Sequence, residues 1–199
     1  VPTTLSKDGR SRPPHLRSWR DGWRHLRFLL IFSPRWLFLY PGLFLLGLGL
    51  FLGTLLIRGP VNISPTVQLD IHTFLAAAMF ILVGLQSLTF GIIARRFAAR
   101  YGFIPPSDTF DAVLQWLTLE RILVAAVILV VGGVLGLFWG VGVWADHGFG
   151  PLDPSVTMRV LILAMTALVA GLQLILSGFF ASILDVPIVE GRVGAVPQG

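Results

Sequence analysis

The chain has 199 residues, of which 55% are hydrophobic and 13% charged, and its mean hydropathy is +0.82. A water-soluble domain carries about a quarter charged residues, so this composition excludes one and indicates a membrane protein. The formal net charge of +5 favours contact with anionic lipid, and the absence of cysteine excludes a disulfide framework, a thiol nucleophile and a thiolate metal site.

The N-terminal segment is rich in arginine, with tryptophan and histidine interleaved, as in "DGRSRPPHLRSWRDGWRHLRF". After Pro13 and Pro14, Ser18 can cap a helix, and we predict an amphipathic juxtamembrane helix over residues 18–35. One stripe of this helix holds Trp19, Trp23, Leu26 and Leu30. The other holds Arg20, Arg24 and Arg27 and is continued by Arg17, just before the helix. This pattern is typical of a helix that lies in the membrane interface.

The choice of arginine over lysine bears on what this segment contacts. A guanidinium group presents a planar fork of donors that can hold a pair of phosphate oxygens, which favours a phosphorylated lipid headgroup. Arginines that only fix the topology and bind bulk anionic lipid explain the pattern at least as well. A nucleic-acid arm is disfavoured because the basic residues adjoin a membrane helix. We therefore expect membrane lipids as partners and no nucleic acid.

Four apolar stretches are long enough to cross a bilayer: residues 36–57, 73–93, 122–144 and 159–184. Basic residues concentrate before the first stretch and between the second and third. By the positive-inside rule, the N-terminus, the middle loop and a tail over residues 185–199 should be cytoplasmic. The predicted fold is an all-α membrane protein, with a domain of four transmembrane helices over residues 36–184, arranged as two hairpins after the N-terminal amphipathic helix.

The second and fourth spans resemble each other in sequence. "GLQSLTFGIIA", which begins at Gly84, matches "GLQLILSGFFA", which begins at Gly171. The same alignment places Gly49 and Gly53 on Gly136 and Gly140. This predicts that the two hairpins are one duplicated unit, in a parallel repeat about an axis along the membrane normal. The alternative is that the similarity arises by chance between two segments composed largely of Gly, Leu and Phe.

Small and amide residues inside the spans predict how the helices pack. Glycines at intervals of four let helices approach closely, and the candidates are Gly49, Gly53, Gly132, Gly136, Gly140 and Gly171. Gln86 and Gln173 lie in the apolar layer, where we expect them to hydrogen-bond between helices rather than to line a transport pathway. Apart from Arg159, the first residue of the fourth stretch, acidic and basic residues are absent from the predicted spans, which argues against an ion-coupled transporter. A second copy of the chain is a further expected partner.

The connecting loops contain fewer signals. In the middle loop, Ser107 or Asp108 can cap an interfacial helix that carries Phe110, Val113, Leu114 and Leu117, although an early start of the third span fits nearly as well. On the other side, His72 stands near Asp70, and His147 follows Asp146. These residues could form a metal site, but their spacing is not diagnostic of one, so we predict interfacial polar residues and no metal.

The N-terminal run resembles a known family junction. "VPTTLSKDGRSRPPHLRSWRDGWRHLRFLLIFSPRWLFLYPG" is similar to the boundary between catalytic and membrane domains in bacterial polyprenyl-phosphate glycosyltransferases of the GT-A type, relatives of dolichol-phosphate mannose and glucose synthases. Val1 and Pro2 match the last strand of the catalytic domain, and Gly9, Ser11 and Arg12 match its G-x-S-Lys/Arg loop. Ser6 stands where the family often has a basic residue, with Lys7 beside it.

The resemblance implies that the longer protein transfers a sugar from a nucleotide sugar to a polyprenyl phosphate at the cytoplasmic membrane of a bacterium. The acceptor phosphate or lipid headgroup would then bind near Gly9, Arg10, Ser11, Arg12, Arg17, Arg20 and Arg24. Residues 1–17 would be the end of the catalytic domain and a linker.

The resemblance also has consequences for catalysis. A divalent cation, magnesium or manganese, would belong to the catalytic domain, and this chain would contain no cofactor and no catalytic residue. We therefore expect it to orient the acceptor but to be inactive alone. The alternative is a non-enzymatic four-helix membrane protein, either a lipid-carrier translocase or a scaffold.

Overall fold

The computed structural model describes residues 18–32, 35–105, 118–150 and 154–185. The helices are α1 (Ser18–Phe32), α2 (Tyr40–Leu56), α3 (Ile71–Arg100), α4 (Leu119–Asp146) and α5 (Pro154–Asp185), with a π-helix (Arg35–Leu39) directly before α2. Two short strands, β1 (Val61–Ser64) and β2 (Val67–Leu69), lie between α2 and α3. The predicted linker and middle-loop helix, and the predicted tail after residue 185, fall outside the described residues.

Four segments are long and apolar enough to cross a membrane: Arg35–Leu56, Ile71–Arg100, Leu119–Asp146 and Val156–Leu184. This confirms the predicted fold of four transmembrane helices. The three later helices extend beyond the spans read from hydropathy, because a helix continues past the last apolar residue for as long as its backbone hydrogen bonds are satisfied. The protein is therefore a multi-pass membrane protein.

The first span begins with a wider helical turn, and Pro41 accounts for it. A proline inside a helix has no amide hydrogen, and its ring clashes with the carbonyl four residues before it. The π-helix over Arg35–Leu39 widens the backbone at this place. α2 then continues as a regular helix to Leu56, which is fully buried.

A β-hairpin connects α2 to α3. Its strands are antiparallel, with Val61 opposite Leu69 and Asn62 opposite Gln68. The hairpin was not predicted from the sequence. The alternation of Val61 and Ile63 with polar residues was the available signal, but it is too short to distinguish a strand from a loop.

α3 and α4 end with the same backbone motif. Gly102 has a φ of +72°, and it lets the amide of Phe103 donate to the carbonyl of Ala98 at 2.9 Å. The amide of Gly102 donates to the carbonyl of Ala99, which completes a Schellman cap. Gly148, with a φ of +64°, has the corresponding place after α4. At each end, glycine adopts the left-handed conformation and the amide of the following phenylalanine bonds back to the helix. After α4, Phe149 itself also has a positive φ, of +59°.

The helices pack side by side in the order α2, α3, α5, α4. α2 packs on α3 and α4 packs on α5, so each predicted hairpin is formed. α3 and α5 join the two hairpins, and α2 and α4 are the outer helices. The described interior consists mainly of small residues, including Ala77, Ala126 and Ala164, which let the helix backbones approach closely.

Contacts within the two hairpins correspond residue by residue. A methyl group on Gly84 would lie 2.5 Å from the Leu46 amide nitrogen and 2.9 Å from the Gly42 carbonyl oxygen. On Gly171, it would lie 3.0 Å from the Val130 nitrogen and 2.7 Å from the Ala126 oxygen. The predicted alignment of Gly84 with Gly171 thus agrees with the packing of α3 and α5.

The predicted alignment of the outer helices is wrong by three residues. A methyl group on Gly49 would meet the Ala77 oxygen at 2.7 Å, and one on Gly133 would meet the Ala164 oxygen at the same distance. Gly49 therefore corresponds to Gly133 and not to Gly136, and the pairing of Gly53 with Gly140 shifts by the same amount. The single offset assumed connectors of equal length, whereas the second hairpin has three more residues between these contacts.

Candidate lipid-headgroup site

Most arginines of the membrane domain lie at one end of it. Because α2 and α4 begin where α3 ends, five arginines share this end: Arg35, Arg95, Arg96, Arg100 and Arg121. We call it the arginine end. The opposite end, with the β-hairpin, has Arg58 and Arg159 and is called the hairpin end. This distribution creates a positive potential at one membrane surface.

α1 precedes the arginine end in the chain and carries the described part of the predicted headgroup site. Arg20 and Arg24 stand one turn apart on this helix, and both are exposed. Trp19 and Trp23 are exposed at 87% and 56%. Large indole rings beside guanidinium groups suit the boundary between hydrocarbon and headgroups. The other predicted site residues, Gly9, Arg10, Ser11, Arg12 and Arg17, lie outside the described residues.

The last turns of α3 carry three arginines, Arg95, Arg96 and Arg100. In the sequence they served only to predict which side of the membrane this end faces. Arg95 is 4% exposed, whereas Arg100 is exposed. Arg100 Nη1 donates to the carbonyl oxygen of Leu184, one of the last carbonyls of α5. Such carbonyls have no partner within their own helix, so this bond caps α5 and joins it to α3. The hydropathy pattern missed this role because the predicted span stopped at residue 93.

The π-helix is tied to α3 at the arginine end. Ser87 Oγ donates to the carbonyl oxygen of Phe38 at 3.0 Å. The rings of Phe38 and Phe90 pack edge to face with their centres 6.4 Å apart. These contacts hold the start of the first span against the second half of α3, where the arginines follow.

The predicted packing glycines have different surroundings. A methyl group would approach a neighbouring helix to 2.6–2.8 Å at four of them: Gly49, Gly136, Gly140 and Gly171. At Gly53 the nearest atom is 3.9 Å away, and at Gly132 nothing lies within 4 Å. Gly84 and Gly133 also make close approaches, but they were absent from the predicted set because glycine spacing alone does not tell which face meets a neighbour.

Gln86 and Gln173 are both partly buried. Gln173 Oε1 is fully buried and accepts no hydrogen bond from the described residues. A buried amide oxygen in the apolar layer is costly without a donor. The interhelical hydrogen bond that we expected for these two residues stays a prediction.

At the hairpin end, an ion pair joins the two hairpins. Arg159 Nη2 lies 2.5 Å from Asp70 Oδ1, and the Arg159 side chain is 8% exposed against 47% for Asp70. Asp70 occupies the N-cap position of α3, but its side chain makes no capping bond. Its carboxylate is bound to Arg159 instead. The close contact was not predicted, since the two residues are far apart in sequence.

The two histidines of the hairpin end do not assemble with these groups. His72 is exposed, and His147 Nδ1 lies 2.8 Å from the Val143 carbonyl oxygen. In the part of the chain that the structure describes, no three His, Asp or Glu side chains are grouped to hold a metal ion. The described residues therefore offer no cluster for a divalent cation, which the family resemblance assigns to the catalytic domain.

The described fold thus defines the class of protein as a multi-pass helical membrane domain with arginines concentrated at one end. Residues 92–185 match the family "Glycosyltransferase family 2 C-terminal transmembrane region". A "Low-salt glycan biosynthesis hexosyltransferase Agl6" from Haloferax volcanii is 30% identical over 171 residues, which cover 83% of this chain and 38% of that protein. No solved structure matches the chain.

These two matches identify a glycosyltransferase family 2 C-terminal membrane region and confirm that part of the resemblance, whereas the polyprenyl-phosphate acceptor stays a prediction. The chain is thus a membrane part of a glycosyltransferase. It spans less than half the length of the hexosyltransferase that it resembles. The bacterial origin stays a prediction.

Proposed function

We propose that this chain anchors a glycosyltransferase in the cytoplasmic membrane and orients a polyprenyl phosphate that accepts a sugar from a nucleotide sugar. The similarity to a hexosyltransferase supports sugar transfer by the longer protein. Chemistry would take place in the catalytic domain that the family resemblance implies. The membrane part would hold the acceptor phosphate where that domain can reach it.

The exposed pair Arg20 and Arg24 on α1 is the observation that carries this proposal. Two guanidinium groups one turn apart can donate to different oxygens of one phosphate. Trp19 and Trp23 would set the helix at headgroup depth, where a lipid phosphate lies. The matches to glycosyltransferases favour this function over the translocase or scaffold alternative.

The termini and the arginine end would face the cytoplasm under this proposal. The arginine end has five arginines against two at the hairpin end, which is the bias that the positive-inside rule describes. This orientation would place the acceptor phosphate on the side where nucleotide sugars are made. The residues beyond α5 would lie on the same side.

Binding of a short-chain polyprenyl phosphate to the purified chain in nanodiscs tests the proposal. Phosphatidic acid of matched charge is the control lipid, at fixed ionic strength because exposed charges are screened by salt. We expect selective binding that falls about tenfold when Arg20 and Arg24 are both replaced by Gln, since each loses a charge-assisted hydrogen bond. Replacement of Arg58 by Gln at the hairpin end removes one charge away from the site and is the control for the single replacements of Arg20 and of Arg24 by Gln. Equal binding of both lipids would contradict the proposal.

A further inference from the structure

An apolar cavity of about 580 Å³ lies at the arginine end. Its walls come from the π-helix, α3 and α5 and include Phe38, Phe90, Phe97 and Phe180. Ligand sites in proteins typically occupy about 300–1,000 Å³ and are lined mainly by apolar side chains. The cavity has the size and lining of a site for a hydrocarbon group.

The cap of α3 completes this cavity. Gly102 turns the chain so that Phe103 folds back over Ala98, and both residues line the cavity. Ala94 and Ala98 have small side chains on the same face of α3, which leaves space between the surrounding rings. The cavity thus depends on a specific turn and on two small residues.

The duplicated hairpins provide an internal comparison. Phe38 corresponds to Ile122 in the second hairpin, Phe90 to Ser177, and Ala94 to Ala181. These three counterparts line a second cavity between α3, α4 and α5. That cavity has only about 50 Å³. The packing of two hairpins therefore does not by itself create a large cavity. The first copy has an open site where its counterpart is nearly filled.

A cationic group lies next to the large cavity. Arg100 donates to the carbonyl of Leu184, and Leu184 is itself a lining residue. Arg96, one turn earlier on α3, lines the small cavity instead. An apolar space with the Arg100 guanidinium group beside it matches a lipid with a hydrocarbon chain and an anionic head.

We propose that this cavity holds the hydrocarbon chain of the lipid phosphate acceptor, with the part of the chain nearest the phosphate between Phe38, Phe97 and Phe103. This inference rests on the proposed function for the identity of the lipid. The arginines of α1 contact the phosphate, and the cavity selects the chain. Selection by the chain is what separates the acceptor from the far more abundant phospholipids, whose phosphate would contact the same arginines.

The test uses a short polyprenyl phosphate with a diazirine on its second isoprene unit, added to the whole chain in nanodiscs. Illumination and peptide mass spectrometry then locate the crosslink. We expect labelling of α3 and of residues around Phe103, competed by unlabelled polyprenyl phosphate and not by phosphatidic acid. Equal competition by phosphatidic acid would mean that the cavity is a crevice for bulk lipid, and it would overturn the inference.

Filling the cavity is the second arm. Ala94→Phe places a ring in the cavity, whereas Ala99→Phe adds the same ring on the exposed face of α3. We expect at least a tenfold loss of polyprenyl-phosphate binding in A94F and no change in A99F. Ala94→Leu, a smaller change, should give an intermediate loss if A94F does not fold. Wild-type binding by well-folded A94F would contradict the inference.

The two proposals fail in different ways. If A94F still binds polyprenyl phosphate selectively and the Arg20 and Arg24 replacements abolish that binding, the cavity inference fails and the proposed function stands. If no variant distinguishes polyprenyl phosphate from phosphatidic acid, the proposed function fails as well. Crosslinks confined to the hairpin end would contradict both.

Discussion

Two adjacent glycines of α4 have opposite surroundings. A methyl group on Gly133 would lie 2.7 Å from the Ala164 oxygen and from the Leu168 nitrogen, both backbone atoms of α5. Backbone cannot move aside as a flexible side chain can, so the two helices would have to separate. Gly132 faces open space, with no atom within 4 Å. The close approach of α4 to α5 therefore depends on one of the two glycines.

We expect Gly133→Ala to lower the free energy of unfolding by about 2 kcal/mol, because overpacking separates the helices. Gly132→Ala is the matched control and should stay within about 0.5 kcal/mol of wild type or be slightly more stable, since alanine favours helix more than glycine does. Thermal or denaturant unfolding in detergent measures both. Similar losses in the two variants would mean that α4 packs with a different face.

Replacing one partner of the Asp70–Arg159 ion pair should cost more stability than replacing the other, because the two side chains differ in exposure. Asp70→Ala leaves a buried guanidinium group without its carboxylate and should cost about 2 kcal/mol, whereas Arg159→Met leaves only a half-exposed carboxylate and should cost less. A double-mutant cycle with unfolding in detergent separates the pair energy from the single effects. Equal costs for the two single variants would contradict this account.

At the scale of elements, the caps of α3 and α4 share one backbone motif but differ in surroundings. Phe103, after α3, lines the large cavity, whereas Phe149, after α4, packs edge to face on Trp144 with ring centres 5.0 Å apart. Gly102 and Gly148 both have positive φ, which costs other residues about 1 kcal/mol. Substitutions at the two glycines can therefore distinguish an effect on stability, which both should have, from an effect on binding at the cavity, which only Gly102 should have.

We expect Gly102→Ala and Gly148→Ala each to destabilise the protein by about 1 kcal/mol, because alanine resists the left-handed conformation. Only Gly102→Ala should also weaken polyprenyl-phosphate binding, since it displaces Phe103. The measurements are unfolding in detergent and binding in nanodiscs. The link between cap and cavity would be rejected if Gly148→Ala reduced binding as much.

The elements differ in how far the sequence could predict them. The four spans follow from hydropathy because any helix that crosses the apolar layer must be apolar over about 20 residues. The extension of α3 through Arg95 could not be read in this way, since hydropathy falls where the charges begin. The large cavity depends on how Phe90 of α3 faces Phe180 of α5, and such distant contacts leave no local pattern in the sequence.

At the scale of the whole molecule, the arginine end and the hairpin end should lie on opposite sides of the membrane. The chain has no cysteine, so a single introduced cysteine reports its own position without background. Thr66 lies exposed at the turn of the β-hairpin, and Ala99 is exposed near the end of α3. These two sites sample the two surfaces.

We expect a membrane-impermeant maleimide to label Thr66→Cys in intact cells and to label Ala99→Cys only after the membrane is opened. The positive-inside bias of the arginines is the physical reason. Labelling after denaturation controls for expression of each variant. The reverse pattern would place the arginine end outside and contradict the proposed orientation.

The side-by-side order of helices has a consequence for assembly. Each hairpin contains its own closely packed pair, α2 with α3 and α4 with α5, and the hairpins meet through α3 and α5. One chain thus resembles two related subunits that have been joined end to end. Separate polypeptides ending at residue 105 and starting at residue 118 should therefore insert independently and reassociate in the bilayer, much as two halves of a dimer find each other.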